Sequence, residues 1–432
     1  MSNEDDKERR HFQQVCNSYQ QYATFHQVVE QGVNHRRERL LSSKNENAVQ
    51  ESEPTVESIL QKSFSELQLK KNNELFCQAT IRNQYFLDNV LKHAGAMTSQ
   101  EILRLRNECT EAFEVEWTTE DQISKIDSVL KSIYRDWSIE GKEERSVVYA
   151  KLLSALDKYL PIRSNDDRGP PRVAVPGSGL GRLAFEIYSK GYSSQGSDFS
   201  LPMLLASDFI LNGCTDRRQF AISPWIHETK NVKSLQDRLR TVNVPDVVAT
   251  VDPSNDGEVA PDFTMLAGEF LSLYSHFLPG NRCVDNQQVE SVEKFNAVVC
   301  SFFIDTAPSL PHYLITIYHM LKNGGLLVSI GPLMWHWSGF GTVIPGDLDG
   351  ASKTSEGDFI NAKHKQRTEH LDQRYLQSVD FTWEETRAMI VNCGFEILEE
   401  ECDIKTRYTC DVMSMKKVDY DCVFFVARKL PR

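Results

Sequence analysis

The sequence has no CxxC pair and no cysteine–histidine cluster at zinc spacing, although it holds ten cysteines. Scattered thiols of this kind read as small buried apolar residues in a reducing compartment, and no metal is expected. Basic charge is also short: 48 Lys and Arg against 61 Asp and Glu leave a formal net charge of −13. Nucleic-acid binders usually carry a basic face, so nucleic acid is not expected as the main partner. No apolar run reaches membrane-spanning length, and the opening MSNEDDKERR is too charged for a signal peptide. These absences point to a soluble protein of the cytoplasm, with the nucleus also open. What remains is a chain of 432 residues, 40% hydrophobic, enough for one large domain or two ordinary ones.

The first third reads as helix throughout, with no internal repeat. From His11 to Arg37 the apolar residues Phe12, Val15, Tyr19, Tyr22, Phe25, Val29 and Val33 recur at three and four. Ser42 to Pro54 is polar and irregular and reads as a mobile linker over 42–55. Helical patterns resume over Val56–His93, Ser99–Phe113, Glu120–Trp137 and Lys142–Tyr159, with a capping box at Thr98-Ser-Gln-Glu101.

From Arg172 strands and helices alternate. Val173–Val175, Gln195–Asp198, Phe263–Leu266 and Ala297–Phe303 read as strands, followed by a helix over Pro311–Leu321 and a strand over Leu326–Ile330. Thr382-Trp-Glu-Glu385 opens a further helix that stops at Cys393-Gly394, and Phe395–Tyr408 and Cys422–Arg428 read as a hairpin. This grammar predicts a doubly wound α/β sheet over 161–432, preceded by an all-helical region over 1–160. Gly339–Asp380 is too long for an ordinary connection and reads as a lid inserted in the second region.

The stretch RVAVPGSGLGRLAFEIYSKGYSSQGSDFS lacks one thing a dinucleotide site wants. The pattern is G-x-G-x-G, through Gly177, Gly179 and Gly181, with Arg182 where the final glycine of G-x-G-x-x-G would stand. A strand, a glycine turn, a helix closed by Gly191 and then Asp198 still make a nucleotide-binding opening. The tighter turn suits S-adenosylmethionine, which has a carboxylate, a ribose and a sulfonium but no phosphate. A flavin or nicotinamide, or a plain packing turn, are the other readings. Asp198 can accept both ribose hydroxyl protons, and Glu269-Phe270 supply an acceptor and a ring for adenine. Glu269 could equally be an acid favoured at a helix start.

At this point several long motifs resemble one family. VPGSGLGRLAFEI with SDFS, SFFIDTA, LLVSIGPLMWHW, DYDCVFFVARK and, upstream, YRDWSIEGKEER are similar to the carnosine N-methyltransferases, over most of the chain outside the linker and the long loop. The resemblance implies a class I methyltransferase with a seven-stranded Rossmann-like sheet and an N-terminal helical cap. It implies transfer of a methyl group from S-adenosylmethionine to the imidazole of β-alanyl-histidine, giving anserine, and a homodimer. It assigns the cofactor to Arg135, Gly177, Asp198, Glu269, Phe270 and Ser301, with Gly179 in the same turn and Ser132 at the helix position where the family has glutamine. Asp198 stands where the family has glutamate, and Ser301 where cysteine is common. The substrate falls to Asp305, His336 and Tyr420, with Tyr408 nearby.

The chemistry asked of these residues is modest. An imidazole with a pKa near 6.5 is mostly neutral at cytosolic pH, so the tautomer must be chosen and the forming imidazolium stabilised. Asp305, after the run Phe302-Phe303-Ile304, suits that catalytic task; its bland reading is a cap on the next helix. His336 between two tryptophans would otherwise be packing, and Tyr408 and Tyr420 ordinary half-buried strand residues. A histidine within a protein or peptide is the rival substrate. A cofactor-binding module without turnover is the rival class.

Overall fold

The computed structural model describes residues 3–42, 58–59, 62, 69–95, 119–162, 169–250, 260–279, 293–337 and 378–431. Residues 43–55 of the expected linker, the helix over Ser99–Phe113, the Thr98 capping box and positions 339–377 of the long loop lie outside them. Contacts group the chain into two units. One comprises Met1–Arg145, Leu201–Thr250 and Tyr408–Val418; the other comprises Ser146–Ser200, Val251–Arg407 and Asp419–Arg432.

The first unit is built on the helices Asn3–Ser42, Leu69–His93 and Glu120–Trp137. In the last, Ile123, Ile126, Leu130, Ile133 and Trp137 recur at helical spacing and are all buried. Thr119 starts it with a capping box to Gln122, which satisfies two orphan backbone donors and fixes the boundary where the sequence places it. The segment after residue 200 adds the short helices Leu201–Asp208 and Leu235–Arg238. It also adds a two-stranded antiparallel ribbon of Phe220–Ile222 and Val242–Val244, for which the sequence offered no expectation.

Under these helices lies a buried ionic cluster. Asp127 Oδ1 accepts from the Tyr22 hydroxyl at 3.0 Å and lies 3.2 Å from His26 Nε2. His227 Nδ1 approaches the same oxygen at 3.1 Å, an ion-pair distance bent away from hydrogen-bond geometry. The other ring nitrogen of His227 meets Glu228 at 3.2 Å, and Glu228 takes Lys131 at 2.6 Å. Burial works against the Asp127 charge, yet the close approach of His227, the bond to His26 and the attraction of both hold the carboxyl well below its usual range. Burial likewise works against a charged His227, and the carboxylates of Asp127 and Glu228 outweigh it and raise the imidazole.

The second unit is a three-layer α/β/α sandwich. Its seven strands are β1 (Arg172–Pro176), β2 (Ser193–Asp198), β5 (Phe263–Ala267), β6 (Phe295–Ser301), β7 (Leu321–Gly331), β8 (Phe395–Arg407) and β9 (Asp419–Lys429), the ribbon strands being β3 and β4. They lie in the order β5-β2-β1-β6-β7-β9-β8. β5 to β7 run parallel, and β9 enters antiparallel to both β7 and β8. Alternation along the strands sorts the core into two faces. Val173, Val175, Ala297, Val299, Leu326 and Val328 pack under helix Lys142–Tyr159 and helix Arg182–Ser189. Ala174, Val298, Cys300 and Leu327 face helix Phe270–Tyr274, helix Leu310–Met320 and helix Trp383–Cys393. This is the sheet the sequence predicts, hairpin included.

The start of β7 differs from the sequence reading. β7 begins at Leu321, directly after the helix, because Leu321 pairs with Phe295 before residues 322–325 loop out and Leu326 resumes opposite Ala297. The Thr382 capping box and the left-handed Gly394 (φ 106°) close the last helix as expected. Among the described residues no helix is long and apolar enough to cross a membrane.

Candidate active site

The C-terminal edge of a parallel sheet is where an open α/β fold presents its ligands, and the loops leaving β1, β2, β5, β6 and β7 carry most of the candidate residues. The turn after β1 is left-handed at Gly177, Gly179 and Gly181, with φ of 65°, 54° and 76°. The two glycines proposed for the cofactor differ in what surrounds them. A Cβ at Gly177 would stand 2.5 Å from the Phe303 ring, whereas one at Gly179 would meet nothing within 4 Å. Gly177 therefore serves close packing, and Gly179 leaves the approach open.

Asp198 ties the turn to β2. Its Oδ2 accepts from Gly179 N at 2.9 Å and its Oδ1 from Ser200 N at 2.8 Å. Burial raises its pKa, and backbone N–H groups of Ser200, Gly179 and Phe199 pull it back. Each carboxylate oxygen has a second lone pair, so both can still accept hydroxyl protons. Glu269 is the N-cap of helix Phe270–Tyr274, its Oε2 accepting from Ser272 N at 2.8 Å. Its Oε1 is buried with no hydrogen-bond partner among the described residues. A buried acceptor in that state calls for a donor, such as a ribose hydroxyl or adenine amine. The helix-start reading and the ligand reading thus apply to different oxygens of one side chain.

Phe270 is only 5% exposed, its ring packed with Tyr274, Phe303 and Tyr313. The exposed aromatic beside Asp198 is Phe199, 71% accessible, which the sequence reading passed over. A large apolar side chain left in solvent next to a half-buried acid was the signal available, but solvent exposure is not legible in SDFS itself.

Beyond β6, Ser301 ends the strand and Phe302 takes a left-handed φ of 51°. Asp305 follows in a short 3-10 turn, Ile304–Thr306, and is 2% exposed. It is not the cap of the next helix: the N-cap of Leu310–Met320 is Ser309, with Pro311 just inside the start. Instead Asp305 Oδ2 accepts from Met334 N at 3.0 Å, and its carbonyl accepts from His336 N at 3.2 Å. These two bonds lash the loop after β7 to the loop after β6. Burial raises the Asp305 pKa, offset by the Met334 N–H and the nearby His336. His336 itself points outward and is exposed, while its neighbour Trp335 is buried and donates to Phe381 O at 2.8 Å. Tyr420, opposite Thr406 in β9, packs edge-on against Phe302 with ring centres 6.3 Å apart.

The remaining three candidates, Ser132, Arg135 and Tyr408, belong to the first unit. Ser132 is buried on helix Glu120–Trp137. Arg135 binds Asp136 in a fork, Nε to Oδ1 and Nη2 to Oδ2, both at 2.7 Å. Its guanidinium lies 4.4 Å from the centre of the Tyr408 ring. Among the described residues no three His, Cys, Asp or Glu side chains gather as a metal site would need.

A parallel sheet in this order, with an antiparallel strand inserted next to the outer one and a glycine turn leading to an acid at the end of β2, defines a class I S-adenosylmethionine-dependent methyltransferase. The model of the carnosine N-methyltransferase family matches residues 113–431, and the chain belongs to that family. It is 35% identical over 308 residues to a carnosine N-methyltransferase of Schizosaccharomyces pombe, covering 71% of each chain. It is 30% identical over 343 residues to that of Rattus norvegicus, covering 77% of this chain and 72% of the relative. Among solved structures it is similar to Haemonchus contortus phosphoethanolamine N-methyltransferase 2, with 14% identity, 72% of this chain and 59% of that one covered, and a TM-score of 0.34.

Proposed function

We propose that this protein methylates the histidine imidazole of carnosine, β-alanyl-histidine, to give anserine, and acts on related imidazole dipeptides. The observation that carries the reading is Asp305: a buried carboxylate at the C-terminal edge of β6, held by the loop that carries His336.

S-adenosylmethionine, when bound, supplies an electrophilic methyl group. Gly179 leaves its approach open, Asp198 and the Glu269 Oε1 accept its hydroxyl and amine protons, and Phe199 offers an exposed ring beside them. The Asp305 carboxylate accepts the N–H of the ring nitrogen remote from the substrate's side-chain stem. That selects the tautomer whose lone pair sits on the nearer nitrogen, the one that attacks. As the ring gains positive charge, Asp305 stabilises it in a dry setting where a fixed charge acts strongly. His336 and Tyr420 hold the rest of the dipeptide in the aim that an in-line displacement requires.

The test is turnover of labelled S-adenosylmethionine with a panel of imidazole dipeptides and histidine-containing peptides. Carnosine is expected to lead the panel; transfer confined to longer peptides would move the substrate to histidine within a protein. The cofactor half of the reading is tested at Asp198. A charged acceptor of ribose hydroxyls contributes roughly 1.5–3 kcal/mol, so Asp198→Ala should weaken cofactor affinity about tenfold or more in calorimetry. Dipeptide affinity, measured with product cofactor at saturation, should change less. Equal losses for both ligands would mark a general disturbance of the turn, which also loses its bonds from Gly179 and Ser200.

A further inference from the structure

Behind Asp305, on the side of helix Trp383–Cys393, the packing leaves a small cavity of about 10 Å³. Asp305, Ser329 and Thr386 bring polar groups to it, and Ile330, Val423 and Phe425 are among its apolar walls. Thr386 is fully buried, one helical turn after the Thr382 cap. Its hydroxyl has no hydrogen-bond partner among the described residues. A hydroxyl buried in that state carries a desolvation cost, which valine, of the same shape, would avoid. The volume is about what a single water centre needs, and three polar neighbours meet the two to four partners that a buried water takes.

We propose that Thr386 is a positioning residue for the reaction, its hydroxyl holding the Asp305 carboxylate through one water in this shared cavity. The inference rests on the catalytic reading of Asp305 and extends it to a residue eighty-one positions away that touches neither substrate nor cofactor. On one side Met334 N–H fixes Oδ2. The bridged water fixes the carboxylate from the opposite side, so the plane in which it meets the imidazole N–H is set by both. It also keeps Asp305 charged. Burial pushes this carboxyl up, and each donor aimed at its charged form brings it back down. Two other titratable groups interact with it: His336 on the loop after β7, which favours the charged form, and Cys422 on β9, whose thiol is pushed up chiefly by burial with the Asp305 charge adding to it. Helix Trp383–Cys393 brings no titratable side chain to the cavity, only the Trp383 ring and the Thr386 hydroxyl.

The experiment compares pH profiles of kcat for the wild type, Thr386→Val and Thr386→Ser, with Asp305→Asn measured alongside. Loss of the donor should raise the Asp305 pKa, so the acid limb of Thr386→Val should move up by about one pH unit, the worth of one ordinary hydrogen bond. Cofactor affinity should stay within twofold, and Thr386→Ser, which keeps the hydroxyl, should restore the wild-type limb. Thr386→Ala reads the same shift if valine is poorly accommodated. An unchanged acid limb in Thr386→Val, with raised thermal stability and an inactive Asp305→Asn, would overturn the link alone and leave Thr386 as a tolerated orphan. An Asp305→Asn that turns over normally would overturn the reading on which the link is built.

Discussion

Replacing Asp305 by asparagine is expected to lower kcat for carnosine by about 10²–10³ while leaving S-adenosylmethionine affinity unchanged, since that is the usual worth of a fixed group stabilising transition-state charge. Asparagine keeps the shape of the side chain and can still accept from Met334 N–H and from the imidazole, so the loop and the tautomer preference survive. What it lacks is charge, and the charge matters most when the ring becomes an imidazolium. Full positive charge develops only as the methyl group leaves sulfur, so substrate affinity should fall less than turnover. Stability should hold or rise, because a buried carboxylate is replaced by a neutral amide. Calorimetry for both ligands and single-turnover rates separate these effects. A variant with near wild-type turnover would return Asp305 to a structural part, that of joining the loops after β6 and β7.

Asp127→Asn should strongly destabilise the first unit, costing about 3–5 kcal/mol, as removal of one partner from a buried ion pair does. Three groups converge on Asp127: Tyr22, His26 and His227. Removing its charge leaves the half-buried His227 imidazolium with Glu228 as its one remaining carboxylate partner in this cluster. The effect should depend on pH with a predictable sign. Asp127 has a folded pKa below its ordinary 3.8, so its contribution is present above that value and is lost as pH falls through the folded one. His227 has a folded pKa above its ordinary 6.5, so its contribution is complete below 6.5 and is lost as pH rises through the folded one. Glu228, held down to about 2 chiefly by His227, stays charged throughout. The stability gap between wild type and variant should therefore be widest between about pH 4 and pH 6.5 and narrow on either side. Urea midpoints across that range read it directly; a flat gap would show that shape, and not charge, is what Asp127 supplies.

Most of the second unit was legible because its rules are local. Val173–Val175 alternates across a buried sheet, Gly191 and Gly394 close helices with positive φ, and the Thr382 capping box places a boundary to the residue. The ribbon of Phe220–Ile222 and Val242–Val244 was not legible. Three-residue strands carry too little alternation to distinguish them from loop, and their pairing spans nineteen intervening residues. Asp305 shows the limit in the site. Asp-Thr-Ala-Pro reads as a cap, and only the fold reveals that Ser309 takes that position while Asp305 turns toward Met334. Phe270 is a second case: that its ring packs with Tyr274, Phe303 and Tyr313 could not be read from its place next to an acid. Thr386 had no sequence signal, since a threonine inside a helix is ordinary until its hydroxyl is found without a partner.

The insertion of β9 between β7 and β8 sets a schedule for synthesis. β7 ends at Gly331 and its antiparallel neighbour starts at Asp419, with β8 made in between but unable to pair with β7. At ribosomal rates of about 5–20 residues per second, the inner edge of β7 waits on the order of ten seconds for its partner. During that interval Leu326, Leu327, Val328 and Ile330, all buried in the finished sheet, line an open strand edge. A nascent chain paused in this window leaves that edge open to pairing with a neighbouring copy, so the time taken to make residues 332–418 sets how long the β7 edge is exposed.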